Sequence, residues 1–190
     1  MGKGSSYERE VCNTLSAWWT KGERSDVFWR SSNSGGRATV RSKKGKATSG
    51  SYGDVAAIDA DGVPLIKCLT IELKRGYSTC SFADLLDQLD HTKAKGVELF
   101  IEQAMRSAAQ AKSKSWILVH RRDKKKAMAI VPASFIRDIQ AVGGFTPRPP
   151  ISGTLRIKLK SGTPLRLILM PLTDFLAGFD RTHVEALLQE

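Results

Sequence analysis

The sequence predicts an α/β domain in which helices flank a mixed central sheet. Apolar residues recur at helical spacing in some segments, strand-like apolar runs interleave with these segments, and turn residues separate the two kinds. Strands and helices that alternate along one chain are typical of α/β architecture. With 190 residues, 41% of them hydrophobic, the chain can bury one sizeable core.

The first half of the chain begins with a predicted helix from Ser6 to about Thr20. The run DVFWRSS predicts a short strand, and residues 31–52, which are rich in glycine, serine and bases, predict a long flexible loop. The runs DVAAID and PLIKCLTIELK predict two strands, which ADGV would join as a hairpin because Asp61-Gly62 favours a tight reversal.

The second half begins with a predicted helix near Phe82 to Thr92, capped by Ser81, and a second helix from about Val97 to Ala111. The runs SWILVH and AMAIVP predict two further strands. After GGFTPRPP, the run TLRIKLKSGTPLRLILM predicts a C-terminal β-hairpin, and short helices complete the chain. We therefore predict a core over residues 1–145 and a C-terminal extension, 146–190, packed on it.

The charge of the chain is strongly positive and unevenly distributed. Thirty Lys and Arg residues stand against 19 Asp and Glu, a net charge of +11. Two runs, GRATVRSKKGK and HRRDKKK, concentrate the bases, and this clustering favours a nucleic-acid partner over a general solubility effect. The candidate DNA contacts are Arg37, Arg41, Lys43, Lys44, Lys46 and Arg75.

Several other classes of protein are not expected. The three cysteines lack the paired spacing of a zinc site or a disulfide framework, and the three histidines are too scattered for a catalytic triad. The sequence has no G-x-x-x-x-G-K-[ST] loop, so no nucleotide cofactor is expected. It has no apolar run of membrane-spanning length and no apolar signal region, which predicts a cytoplasmic protein without a membrane partner.

The run TIELK predicts that two candidate catalytic side chains lie on one face of a strand. Residues two apart on a strand share a face, so Glu72 and Lys74 point the same way while their neighbours point the other. A hairpin loop centred on Val63 would set Asp54 directly opposite Glu72. Two carboxylates and a lysine would then meet at one point.

Two neighbouring carboxylates repel each other unless a cation joins them, and their oxygens suit Mg²⁺ or Mn²⁺. Such a site fits phosphodiester hydrolysis, with Lys74 orienting the attacking water or neutralising developing charge. In the alternative interpretation, Asp54 caps a turn while Glu72 and Lys74 line a solvated strand face. Asp59 could replace Asp54 as a ligand, although its position directs it to the opposite face.

These residues resemble the signature of the PD-(D/E)xK nuclease superfamily, in which a strand-borne Asp precedes Asp/Glu-x-Lys. Here the residues are Asp54, Glu72 and Lys74, and Gly53 stands where the family name has Pro. The N-terminal KGSSYER is most similar to the helix start of archaeal-type Holliday junction resolvases. The resemblance covers roughly residues 3–131, and it implies a restriction-endonuclease-like core.

The resemblance also implies roles for individual residues. Glu8 would join the metal site, although Ser5 and Glu8 also match a capping box. A helix glutamine, Gln103 or alternatively Gln88, would complete the site. Two serines of the long loop, Ser32 and Ser34, would approach the scissile phosphate. The metal ligands would be Asp54, Glu72, Leu73 and Glu8.

The sequence as a whole predicts a Mg²⁺-dependent DNA endonuclease, with Mn²⁺ as a substitute ion. A homodimer acting on branched DNA is expected, because a four-way junction offers two symmetry-related strands to cut. A restriction-like, nicking or single-strand nuclease on the same site is the first alternative. A basic DNA-binding module without catalysis is the second.

Overall fold

A computed structural model describes residues 3–31, 52–77, 79–87, 93–144 and 152–189. The helices are α1 (Lys3–Trp19), α2 (Val63–Cys68), α3 (Asp84–Asp87), α4 (Val97–Ala111), α5 (Ala133–Gly143), α6 (Leu172–Gly178) and α7 (Arg181–Gln189), and a 3-10 turn spans Ala60–Gly62. The strands are β1 (Phe28–Arg30), β2 (Val55–Ala57), β3 (Leu69–Arg75), β4 (Ser115–Arg121), β5 (Met128–Pro132), β6 (Gly153–Lys158) and β7 (Pro164–Pro171).

A five-stranded mixed sheet forms the centre of the molecule, in the order β3-β4-β5-β7-β6. Strands β3 and β4 are parallel, and the remaining neighbours are antiparallel. Strands β1 and β2 form a separate antiparallel ribbon. This mixed sheet flanked by helices confirms the predicted α/β, restriction-endonuclease-like fold class.

Apolar side chains cover both faces of the sheet. Ile71 and Leu73 of β3 belong to a large buried cluster that packs against α1, α2, α5, α6 and α7. Trp116 and Leu118 of β4 belong to a second cluster, on the face that α4 covers. Burial on both faces requires nearly continuous apolar runs, so a polar side chain within these strands needs partners.

The hairpin predicted between DVAAID and PLIKCLTIELK is wrong. Strand β2 pairs with β1, and the 3-10 turn and α2 occupy the chain between β2 and β3. Pro64 lies in the first turn of α2, where a fixed φ and a missing N–H cost nothing. Leu65 and Cys68 are buried at i, i+3 spacing, so this segment forms one turn of amphipathic helix rather than a strand.

One predicted helix is described only in part, and one helix of the structure was not predicted. Helix α3 spans Asp84–Asp87, and residues 88–92 lie outside the described residues. At its start, Asp84 accepts a hydrogen bond from the backbone N–H of Ser81. Helix α5 was not predicted, although Phe135, Ile136 and Ile139 are buried along one side of it.

The predicted C-terminal hairpin is present as β6 and β7, and β7 pairs with β5. The central sheet therefore continues into the predicted extension, whose division from the core stays a prediction. Cys12, Cys68 and Cys80 are free thiols. No helix in the described ranges is long and apolar enough to cross a membrane. The cytoplasmic location remains a prediction.

Candidate active site

Strand β3 carries two of the predicted site residues on one face. Glu72 and Lys74 face α4, while Ile71 and Leu73 lie in the core on the opposite face. The side chain of Glu72 is only 2% exposed, and that of Lys74 is 14% exposed. A buried carboxylate on an edge strand requires charged or hydrogen-bonding partners.

Asp54 is held against β3 by two hydrogen bonds to the backbone of that strand. Its N–H donates to the Ile71 carbonyl at 2.8 Å, and its Oδ2 accepts from the Leu73 N–H at 2.8 Å. Ser31 fixes the preceding turn, because its N–H donates to the Asp54 carbonyl and its Oγ donates to the Gly53 carbonyl. Asp54 and Glu72 are therefore neighbours, although they are not partners in a β-ladder as the sequence predicted.

Gly53 makes this approach possible. Its φ is +76°, and a Cβ at this position would lie 2.7 Å from the Ile71 carbonyl oxygen. Proline cannot adopt this φ, and other L-residues rarely do. The residue that replaces the proline of the family name is thus the one that this backbone requires.

Lys74 lies between the two carboxylates. Its Nζ is 3.6 Å from Glu72 Oε2 and 3.9 Å from Asp54 Oδ2. The same ammonium is 5.7 Å from the centroid of the Phe100 ring on α4. The carboxylates and the ring together hold the lysine charge at this point.

Helix α4 supplies two hydrogen bonds to Glu72. Gln103 Nε2 donates to Oε2 at 2.9 Å, and Ser107 Oγ donates to Oε1 at 2.6 Å. The two donors are four residues apart, so they share one face of the helix. Sequence reasoning chose Gln103 but missed Ser107, whose only signal was its position one turn after Gln103.

The protonation of Glu72 reflects this environment. Burial and the neighbouring Asp54 charge raise the pKa of Glu72 to about 7, while Lys74 and the Ser107 hydrogen bond oppose the shift. Gln103 and Ser107 each occupy one Glu72 oxygen. A carboxylate oxygen can accept more than one partner, so these hydrogen bonds leave acceptor capacity for a cation. Two neighbouring oxygen-donor carboxylates, Asp54 and a Glu72 whose charge is disfavoured by burial and by Asp54, fit a hard divalent cation such as Mg²⁺ or Mn²⁺.

Glu8 contacts a base in this structure, and its metal role stays a prediction. It forms an ion pair with Arg30 of β1. Both lie near the buried Cys12, whose pKa is raised to about 12 first by burial and then by the Glu8 charge. Helix α1 begins at Lys3, so Ser5 lies inside the helix rather than at its N-cap.

The complete metal ligand set stays a prediction. Within the described ranges, no three His, Cys, Asp or Glu side chains converge into a group that could hold a metal ion. The backbone N–H of Leu73 binds Asp54, and the proposed metal contact of Leu73 is not tested by this bond.

The predicted DNA contacts fall mostly outside the described part of the chain. Arg75, at the end of β3, donates to Ser6 Oγ at 3.3 Å, and its guanidinium lies 5.9 Å from the Tyr7 ring centroid. The remaining candidates, Ser32, Ser34, Arg37, Arg41, Lys43, Lys44 and Lys46, and the alternative glutamine Gln88, lie outside the described residues.

An α/β sheet with Asp54, Glu72 and Lys74 gathered at its edge strand is the arrangement of a PD-(D/E)xK nuclease. A family model described as "Phage putative PDDEXK endonuclease" matches residues 1–149, and the chain belongs to this family. Nucleases of this type act on DNA and generally use divalent metals. No curated protein and no solved structure was found to match the chain.

Proposed function

We propose that this chain is a Mg²⁺-dependent endonuclease that hydrolyses phosphodiester bonds in branched DNA, as an archaeal-type Holliday junction resolvase does. One observation carries the catalytic part: Asp54, Glu72 and Lys74 meet at the edge of the sheet, with both carboxylates within 4 Å of one ammonium. A module that bound only phosphates would gain nothing from buried carboxylates, which repel a polyanion. Mn²⁺ is expected to substitute for Mg²⁺.

Each residue of the candidate site has a separate proposed role in the hydrolysis. Asp54 and Glu72 would hold the cation, and a divalent cation at such a site activates water and stabilises charge on the phosphate. Lys74 would orient the attacking water or neutralise the negative charge that develops on the phosphate oxygens. Gln103 and Ser107 fix the orientation of the Glu72 carboxylate, because each donates to a different oxygen.

Selectivity for branched DNA is supported by the N-terminal segment. The KGSSYER run, which resembles the resolvase helix start, begins α1, and Glu8 of this run lies beside Arg30. We propose a twofold homodimer, since cutting two opposing strands of a junction needs two active sites. The candidate interface surfaces are the hairpin from Thr154 to Met170 and the Trp18-Trp19 end of α1. Each of these indole N–H groups donates within the chain, to the Leu176 and Asp61 carbonyls respectively.

A matched panel of substrates tests the proposed activity. The protein is incubated with Mg²⁺ and four-way, Y-shaped, nicked, duplex and single-stranded DNA of equal length and sequence, and the cuts are mapped at nucleotide resolution. We expect paired cuts in opposing strands near the branch point. Equal cutting of duplex and junction would favour a restriction-like enzyme. Cutting of single-stranded DNA alone would favour a single-strand nuclease. Binding without cutting under Mg²⁺ or Mn²⁺ would favour the non-catalytic module.

Analytical ultracentrifugation tests the dimer separately from the chemistry. We expect a species of twice the chain mass at micromolar concentration, both free and bound to a junction. A monomer that binds a junction as a single copy and cuts one strand would contradict the dimer while leaving the metal nuclease intact.

A further inference from the structure

The turn between β4 and β5 is the most basic exposed segment in the described part of the chain. Residues 122–126 form this basic turn, which has four bases and one acid, and all five residues are exposed. Arg121, directly before it, is paired with Glu10. The four bases of the turn form no salt bridge with any residue that the structure describes.

The register of β3 and β4 places the basic turn beside the candidate active site. Glu72 is level with Leu118 and Arg75 is level with Arg121, so the turn begins immediately beyond the end of β3. Arg122 is four positions after Leu118, which is about 13 Å along a strand. That length corresponds to about four base pairs of a duplex.

Contacts at its start hold the basic turn in position. Arg121 donates two hydrogen bonds to the Glu10 carboxylate, at 2.5 and 2.9 Å, and its guanidinium lies 4.3 Å from the Tyr7 ring centroid. The Gly76 N–H donates to the Arg121 carbonyl at 3.0 Å. The turn is therefore anchored to α1 and to the end of β3.

The turn itself has a defined backbone. The Lys125 N–H donates to the Arg122 carbonyl at 3.1 Å, and Lys124 has a left-handed φ of +59°. The bases leave from a fixed turn, so little backbone freedom would be lost when they meet a ligand.

We infer that the basic turn, residues 122–126, binds the phosphate backbone of the DNA arm that flanks the cleaved bond. This inference rests on the proposed nuclease function, because that function places DNA at Glu72. Lysine and arginine side chains without acidic partners suit sequence-independent phosphate contacts, which position a duplex without reading its bases. The turn would fix the direction in which one arm leaves the active site.

Two quadruple variants test the inference at equal net charge. The turn variant combines Arg122→Gln, Lys124→Asn, Lys125→Gln and Lys126→Gln, with asparagine at 124 because it tolerates a left-handed φ. The control variant combines Lys114→Gln, Arg156→Gln, Lys158→Gln and Arg166→Gln. The control bases are also exposed. Lys114 precedes β4, at the opposite end of that strand from the turn, and the other three lie on β6 and β7, on the far side of the sheet.

The measurement is binding to a fluorescein-labelled four-way junction in EDTA over a series of KCl concentrations. We expect the turn variant to bind at least about tenfold more weakly at 0.1 M salt. Its slope of log K against log salt should be smaller by about two to four, as expected for that many lost phosphate contacts. The control slope should change by less than about one. Thermal melting should show that both variants remain folded.

The outcomes separate the inference from the proposed function. If the wild type cuts DNA and the turn variant binds with the wild-type salt slope, the inference is overturned and the nuclease stands. An equal loss in both variants would also overturn it, because the effect would then follow net charge alone. If the wild type binds but never cuts, a selective loss in the turn variant supports the DNA surface while the proposed function fails.

Discussion

Asp54 binds the backbone of Leu73 through its side chain: Oδ2 accepts the Leu73 N–H at 2.8 Å. The Asp54 N–H donates to the Ile71 carbonyl, also at 2.8 Å. These two bonds bracket Glu72, so the backbone of β3 sets the spacing between the two carboxylates. Any change that moves the turn before Asp54 should therefore disturb the site as well as the fold.

Gly53→Ala should be strongly destabilising. The new Cβ would lie 2.7 Å from the Ile71 carbonyl oxygen, in addition to the strain of a φ of +76°. We expect a loss of about 2 to 5 kcal/mol in the free energy of unfolding. Gly162→Ala is the matched control, because Gly162 has a φ of +88° with no atom within 4 Å of the new Cβ. Denaturant unfolding that gives equal losses for both variants would contradict the close approach at Gly53.

Ser107→Ala should slow cleavage by about tenfold to a hundredfold, the scale of one hydrogen bond to a charged group. The Ser107 hydroxyl donates to Glu72 Oε1 at 2.6 Å, and without it this oxygen loses a donor in a buried site. Ser107→Thr retains the hydroxyl and should restore most of the rate. Gln110→Ala, at an exposed position of the same helix, serves as the control. Single-turnover rates for Ser107→Ala within twofold of wild type would show that Glu72 does not depend on this contact.

Glu8→Gln and Arg30→Gln break the same ion pair but remove different charges. If Glu8 joins the metal site, Glu8→Gln should raise the Mn²⁺ concentration for half-maximal cleavage by at least about tenfold. Arg30→Gln retains the carboxylate and should leave this concentration nearly unchanged. An equal shift in both variants would mean that loss of the ion pair, rather than loss of a Glu8 metal ligand, changes the Mn²⁺ requirement.

The stability of the metal-free protein should fall as pH rises, relative to the Glu72→Gln variant. The folded pKa of Glu72, about 7, lies above its ordinary value of 4.5, so between these values the folded state binds more protons than the unfolded state. The stabilisation is complete below about pH 4.5 and is lost as pH rises through 7. Urea unfolding in EDTA from pH 5 to 8 measures the difference, and a difference independent of pH would contradict a raised pKa.

The sequence predicted which side chains meet at the candidate site better than it predicted the secondary structure that brings them together. Strand alternation alone places Glu72 and Lys74 on one face, because this property depends only on local geometry. The hairpin prediction failed because Asp61-Gly62 signals a reversal while Pro64, Leu65 and Cys68 favour a helical turn, and burial decides between them. The carboxylates meet through hydrogen bonds between Asp54 and β3, which local patterns do not reveal.

Contacts between distant segments were beyond sequence reasoning for the same reason. Ser107 is a small polar residue on an amphipathic helix, and its role depends on how α4 is rotated over β3. The Glu8–Arg30 pair joins residues 22 positions apart, on α1 and β1. Helix α5 is different, because its buried residues at i, i+1 and i+4 carried a readable signal.

Cleavage of a four-way junction by Asp54→Asn, Glu72→Gln and Lys74→Ala, each compared with Asp59→Asn, tests the central claim most directly. Asp59 is a carboxylate that pairs with Arg24 and caps the 3-10 turn, whereas Lys74 pairs with Asp54 and Glu72. We predict that each site variant loses more than about a hundredfold in rate while binding the junction as the wild type does. Asp59→Asn should cut within a few-fold of wild type. Wild-type cleavage by the three site variants would place the active site elsewhere and contradict the account.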